Sequence, residues 1–297
     1  MKINRRNFIR TSGFVTIGIS GFPFKVFGQE IKTYSFPGKI GICTNISNNG
    51  ILASAGYSYV EEGVSGFLIP TKSEEAFNEK LVLLKNSLIP VEACNSFLPG
   101  ELKCVGPETQ HEKILQFVET AFRRAELAGI KTIVFGSSGS RNIPDGFSAV
   151  EANQQFIKLC KQMAPIAKKH DVVVSLEPLN RGECNFINSV AEGGEIVKSV
   201  NHPNFRLLAD IYHMLMENEG PENIIKYGDL LFHVHIAEKE GRAAPGVHGE
   251  DFTAYFKALQ SVGYKGRISI ECRWENLENQ AKSALFALKN QFENLRI

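Results

Sequence analysis

Short apolar runs alternate with longer amphipathic ones along most of this chain. Eight runs have strand length and strand composition. They cover residues 39–46 (KIGICTNI), 57–64 (YSYVEEGV), 89–97 (IPVEACNSF), 131–137 (KTIVFGS), 171–179 (DVVVSLEPL), 205–213 (FRLLADIYH), 230–238 (LLFHVHIAE) and 266–274 (GRISIECRW). Several are continuously apolar rather than alternating, the pattern of parallel strands buried on both faces. Helix-period stretches lie between them. Residues 110–129 place Ile114, Phe117, Val118, Ala121, Phe122 and Ala125 on one stripe, and Gly129 suits the left-handed residue that closes a helix. Residues 149–170, 250–264 and 276–295 have the same period. Eight strands followed by helical sequence, over about 260 residues, predict an α/β fold: a single (β/α)8 barrel. No G-x-G-x-x-G opens a helix, which counts against a doubly wound open sheet.

The N-terminus reads differently. Residues 1–28 carry Lys2, Arg5, Arg6, Arg10 and Lys25 and no acid, followed by a modestly apolar run rich in Gly, Ser and Thr. The segment resembles a twin-arginine export signal, with Asn4 standing where Ser or Thr is usual. It is expected to address the precursor to the twin-arginine machinery and the protein to the periplasm or another exported site. The alternative is a basic tail on a cytoplasmic protein. Val26 and Gly28 are small enough for cleavage before Gln29, so residues 29–297 are expected to form the barrel. The apolar run is too short and too broken by Gly and Pro to span a membrane stably.

Composition narrows the partners. Removing the five leader cations from the formal net charge of +1 leaves −4 for the remainder. Nucleic acid is therefore not the expected partner, since phosphate binding needs clustered Lys and Arg. The six cysteines form no C-x-x-C pair, so a zinc ribbon or thioredoxin motif is unsupported. Cys43 and Cys272 lie in apolar strand-like runs and read as core. No repeat, Pro/Ser-rich linker or low-complexity tract interrupts the chain, and a homo-oligomer is compatible with it.

In such a barrel the C-terminal strand ends carry the chemistry. Here those ends hold Glu177, Asp210 with His213, His235, and Glu271. A buried acid inside an apolar strand is costly unless it is paired or bound to a cation. Four consecutive strand ends with ionisable groups make four separately satisfied core residues a poor explanation. Two Glu, one Asp and one His offer mixed oxygen and nitrogen ligands for one divalent ion. Mn²⁺, Mg²⁺ and Co²⁺ suit that set best, and Zn²⁺ also fits.

The segments LEPLNRGE, ADIYHM, HVHIAEKEGRAAPGVHGED and IECRW resemble the xylose-isomerase-like TIM-barrel sugar isomerase/epimerase superfamily, in its ketose 3-epimerase and hydroxypyruvate-isomerase-like branch. The resemblance runs from about residue 39 to the C-terminus, with its specific motifs in 171–274. It implies a metal held by Glu177, Asp210, His235 and Glu271, and substrate contacts from Glu183, His213 and Arg242. It further implies a small sugar substrate, with Glu177 and Glu271 as the acid/base pair. One glutamate takes the proton beside a ketose carbonyl, giving a cis-enediolate. Return to the other face epimerises the carbon, and return to the neighbouring carbon isomerises the sugar.

Weaker features stay open. His248 is either a substrate contact or an exposed loop residue. Trp274 either stacks on a sugar or covers the core. Phe97 is a candidate pocket wall, and Glu238 and Glu240 read as a solvated loop face. The loop 136–147 binds phosphate or a sugar hydroxyl, or is simply mobile. His233 and His235 both face the barrel interior, with His233 one layer deeper as a support rather than a ligand. Rival functions are a keto-sugar or keto-inositol dehydratase or lyase on the same metal site, a non-catalytic sugar-binding barrel, and an apurinic endonuclease. The last needs several histidines in the first half of the barrel, where only His111 precedes residue 150.

Overall fold

A computed structural model describes residues 36–295, and the leader expected over residues 1–28 lies outside the described residues. Eight strands are described: β1 (Lys39–Cys43), β2 (Tyr59–Gly63), β3 (Val91–Asn95), β4 (Thr132–Phe135), β5 (Val173–Leu176), β6 (Phe205–Asp210), β7 (Leu231–Ile236) and β8 (Arg267–Ile270). They pair in chain order, all parallel, and β8 closes on β1 to make a barrel. The helices are α1 (Asn49–Ala55), α2 (Glu74–Lys85), α3 (His111–Ala128), α4 (Ser138–Arg141), α5 (Ala149–Lys169), α6 (Val190–Val200), α7 (Ile211–Met216), α8 (Glu222–Lys226), α9 (Thr253–Ser261) and α10 (Leu277–Glu293). This is the predicted (β/α)8 TIM barrel. No helix among the described residues is long and apolar enough to cross a membrane.

The elements form for local reasons. The side chains of Ser73, Ser148, Ser189 and Asn276 each accept a backbone N–H in the first turn of α2, α5, α6 and α10. Gly129 closes α3 at φ 73°, a left-handed conformation that costs glycine little. The stripe predicted on α3 is buried at Ile114, Val118, Ala121, Phe122 and Ala125, with Phe117 packed partly against the core.

Strands are shorter than their apolar runs. The run 205–213 divides: β6 stops at Asp210, whose carboxylate accepts from Tyr212 N at 2.8 Å and starts α7. His213 therefore sits on a helix rather than a strand. Two strand pairs shift register, β2 against β3 between Val60 and Glu61, and β6 against β7 between Leu207 and Leu208. The extra residues are Glu92 of β3 and Phe232 of β7, and such irregularities locally bend the strand that carries them. All six cysteines are free thiols; Cys43 and Cys272 are half-buried at the ends of β1 and β8, and the other four are buried.

Candidate metal centre and sugar pocket

The C-terminal rim gathers the four expected ligands. Glu177 follows β5, Asp210 ends β6, His235 lies on β7 beside Asp210 in the register, and Glu271 follows β8. One donor atom from each lies within 4.8 Å of all the others. His235 Nδ1 is 3.0 Å from Glu177 Oε1 and 3.3 Å from Glu271 Oε2. Asp210 Oδ2 is buried with no hydrogen-bond partner. Converging carboxylates, an inward ring nitrogen and an orphaned oxygen are the donors a divalent ion needs, so these residues fit one. A Cβ on Gly136 would overlap the Glu177 carboxylate, so glycine there leaves that acid its room.

The charges are unequal. Burial raises the Asp210 carboxyl, against the pull of Arg242 and His235, to about 6. Burial also raises Glu177, and its hydrogen bond to His235 only partly offsets that. Burial disfavours ionised Glu271 as well, but the charge and hydrogen bond of His235 and the charge of Arg242 outweigh it and hold it at about 2. Burial works against a charged His235, yet Glu61 and Glu271 carry its pKa well above the ordinary histidine value.

Beside these four residues lies a cavity of about 490 Å³. Glu183, His213 and Arg242 line it together with Glu177 and Glu271, and Phe97, Leu98 and Phe117 form an apolar wall. Arg242 Nη2 pairs with Glu271, and Arg242 Nη1 lies 3.2 Å from Glu183 Oε1. Its guanidinium stacks 4.5 Å from the Tyr212 ring centroid. His213 Nδ1 accepts from the Asn180 side chain at 2.8 Å, so its proton sits on Nε2, and burial keeps the ring neutral by lowering its pKa. Three non-glycine residues of the lining are left-handed: Ser96 at φ 50°, Ser137 at φ 47° and Arg242 at φ 52°. Such backbone is sustained only where its surroundings over-determine it, and it collects at ligand sites.

Two other candidates lie elsewhere. His248 is exposed in the loop after β7, with Nδ1 3.9 Å from Glu240 Oε2, and does not line the cavity. Trp274 packs partly buried against the core, its Nε1 buried without a hydrogen-bond partner, and is also outside the lining.

Glu238 departs from its expected place on a solvated loop face. It is fully buried and accepts the backbone N–H groups of Gly246, His248, Gly249 and Glu250 at 2.5–3.3 Å. The loop folds round it because those amides have no strand or helix to satisfy them. Glu61 is a further functional candidate, one that the strand pattern around it masks. This residue is fully buried under the metal centre, with burial opposing its charge and His235 and His233 overcoming that to push its pKa far down. Its signal was available: two acids, Glu61 and Glu62, in an otherwise apolar strand.

A closed parallel barrel with an acid–histidine centre at its C-terminal rim defines a class of proteins. The chain belongs to the xylose isomerase-like TIM barrel family, whose sequence profile matches residues 50–291. Among curated proteins it is 26% identical over 264 residues to the L-ribulose 3-epimerase of Methylomonas sp. strain DH-1, covering 81% of this chain and 89% of that one. It is 28% identical over 184 residues to a probable ketose 3-epimerase of Synechocystis sp. strain PCC 6803, covering 60% of this chain and 62% of that one. Among solved structures, D-psicose 3-epimerase of Clostridium cellulolyticum H10 with D-tagatose superposes with a TM-score of 0.75 at 22% identity, over 84% of this chain and 98% of that one, a likeness of fold.

Proposed function

We propose that this protein is a metal-dependent sugar epimerase or isomerase that moves a proton on the carbon beside the carbonyl of a ketose or keto-sugar. The observation that carries this reading is the convergence of Glu177 and Glu271, from different strands, on one His235 nitrogen at the edge of one cavity. Binding alone needs no such pair of bases. The epimerase relatives reported above support the same chemistry.

A divalent ion held by Glu177, Asp210, His235 and Glu271 would supply Lewis-acid polarisation of the carbonyl and its neighbouring hydroxyl. The chain's own groups do the rest. Glu177 and Glu271 face the cavity from the ends of different strands and form the acid/base pair: one takes the proton from the carbon and the other returns one. Asn95 donates to Glu271 Oε1 at 2.9 Å and fixes the orientation of that carboxylate. His213, whose Nε2 lies 3.4 Å from Asp210 Oδ2, closes the side of the cavity next to that ligand. Arg242 holds Glu271 and offers a guanidinium edge to a substrate hydroxyl.

The test is a panel of ketoses and keto-glycosides incubated with the purified protein in D₂O, with metal content measured per chain. The expected result is one ion per chain, and deuterium at the carbon next to the carbonyl in wild type. Glu271→Gln should slow that exchange by about 10²–10⁴-fold. Metal-free protein whose exchange is indifferent to chelator would overturn the reading. A dehydrated product in place of an epimer would move it to the lyases.

A further inference from the structure

We propose that Glu61 is a positioning residue, which holds His235 so that Nδ1, rather than Nε2, is turned to the metal-binding cluster. The inference rests on the metal-centre reading above and extends it to a residue one layer below. That layer is unusual: a barrel interior is commonly filled by branched apolar side chains, whereas here a carboxylate at 1% exposure sits between strands. A buried charge of this kind persists only when its lone pairs are satisfied.

Those lone pairs are divided between two kinds of donor. Oε2 accepts from His233 Nε2 at 2.7 Å and from Ser269 Oγ at 2.6 Å. The Tyr59 hydroxyl lies 2.7 Å from Ser269 Oγ and completes a chain of donors that ends on Oε2. Oε1 is left to His235 Nε2 at 3.0 Å. His233 Nδ1 is buried with no hydrogen-bond partner, so the ring proton of His233 is on Nε2 and is committed to Glu61. The packing that allows this is specific. Tyr59 and Glu61 share one face of β2, and the Tyr59 ring occupies space that a Cβ on Gly41 would fill, with overlap at 2.5 Å. The regular alternation of β2 then puts the Glu61 carboxylate on the inward face with Tyr59, within reach of the two histidines.

The consequence follows from imidazole chemistry. Once Nδ1 gives up its proton to an ion, a ring that still donates Nε2–H to a carboxylate offers its lone pair at Nδ1. In His235 that nitrogen faces Glu177 and Glu271. Glu61 thus selects the ligating atom, fixes the ring plane and raises ligand basicity without touching ion or substrate.

Two measurements test this without a substrate. Glu61→Gln keeps the shape and removes the charge. Its affinity for Co²⁺ and Zn²⁺, read by chelator competition, should fall by about 10–100-fold, and the visible absorption of the Co²⁺-loaded variant should shift from that of wild type. Wild-type affinity with an unchanged Co²⁺ spectrum would overturn the role of Glu61. Should the variant fail to fold, ¹⁵N-histidine NMR of the Zn²⁺-loaded wild type decides the same point. His235 should carry its proton on Nε2 and bind zinc through Nδ1; zinc on Nε2 would overturn the proposal. A wild-type protein that takes up neither ion would overturn the metal reading itself, an outcome distinct from loss of the Glu61 role alone.

Discussion

Single residues at this rim are held by what surrounds them, and two of them make sharp predictions. Gly136 has no freedom to gain a side chain, because its Cβ would overlap the Glu177 carboxylate. Gly136→Ala should fold, displace Glu177, and lower kcat for ketose turnover by about 10²-fold, the usual cost of a misplaced reacting group. Circular dichroism unchanged and turnover unchanged would contradict the placement of Glu177. Asp210 and His235 set the pH response of metal uptake. His235, charged in the metal-free protein, must give up the Nδ1 proton to bind an ion, so uptake near neutral pH should release protons into the buffer. Asp210 protonates as pH falls through about 6. Its anionic ligand is present above that value and lost below it, so metal affinity should drop from about pH 7 to about pH 5. Chelator competition across that window, with proton release followed by calorimetry in buffers of different ionisation enthalpy, checks both.

At the scale of the element, the segment between β7 and α9 shows how a loop is made rigid enough to carry a functional side chain. Gly241 and Arg242 are both left-handed, the Arg242 carbonyl accepts from Arg273 N at 2.8 Å, and the buried Glu238 gathers four amides from the far end of the loop. Glu238→Gln replaces one acceptor oxygen by an N–H donor facing those amides. The expected loss is about 1–3 kcal/mol of stability, the range for a buried group left unsatisfied. Because the same loop places Arg242, KM for the sugar should rise more than kcat falls. Urea unfolding and steady-state kinetics on the variant measure the two effects separately. His213 makes the complementary point. Its position three residues after Asp210 is readable from sequence. Its seat on α7 follows from the Asp210 carboxylate capping Tyr212 N, a helix start set inside an apolar run that otherwise reads as strand to its end.

Across the whole barrel, the candidate metal centre ties together the ends of β5, β6, β7 and β8 through one residue each. An ion bound only by the folded state should therefore stabilise the whole domain. At a free concentration about 100 times Kd the gain is about 2.7 kcal/mol, which raises Tm by several degrees. Thermal unfolding with Mn²⁺ or Co²⁺, compared with chelator, is the measurement; equal Tm in both would leave the four-ligand centre without an ion. The cavity beside it takes an apolar wall from the loop after β3, at Phe97 and Leu98, and from α3, at Phe117, and its ionisable residues Glu177, Glu183, His213, Arg242 and Glu271 from the segments that follow the last four strands.

How much of this is readable in the chain depends on the range of the forces involved. The barrel was legible, because continuous apolar runs and 3.6-residue stripes are local patterns that repeat eight times. So were Glu177, Asp210, His235 and Glu271, since an acid or histidine at the end of an apolar strand is anomalous within a few residues of itself. Glu61 was not. Its partners His235, 174 residues away, and Ser269, 208 away, are brought to it only by closure of the sheet. Glu238 looked like solvent-facing charge for the same reason: nothing near it in sequence announces four unsatisfied amides. His248 and Trp274 carry plausible side chains beside the right motifs, yet the loop and the core place them outside the cavity. Local chemistry therefore dictated the strands, the helices and the residue types of the candidate metal centre. Which charges are buried, which nitrogen of His235 faces the cluster and which side chains share the cavity were settled by contacts between strands distant in sequence, where desolvation and hydrogen-bond geometry act.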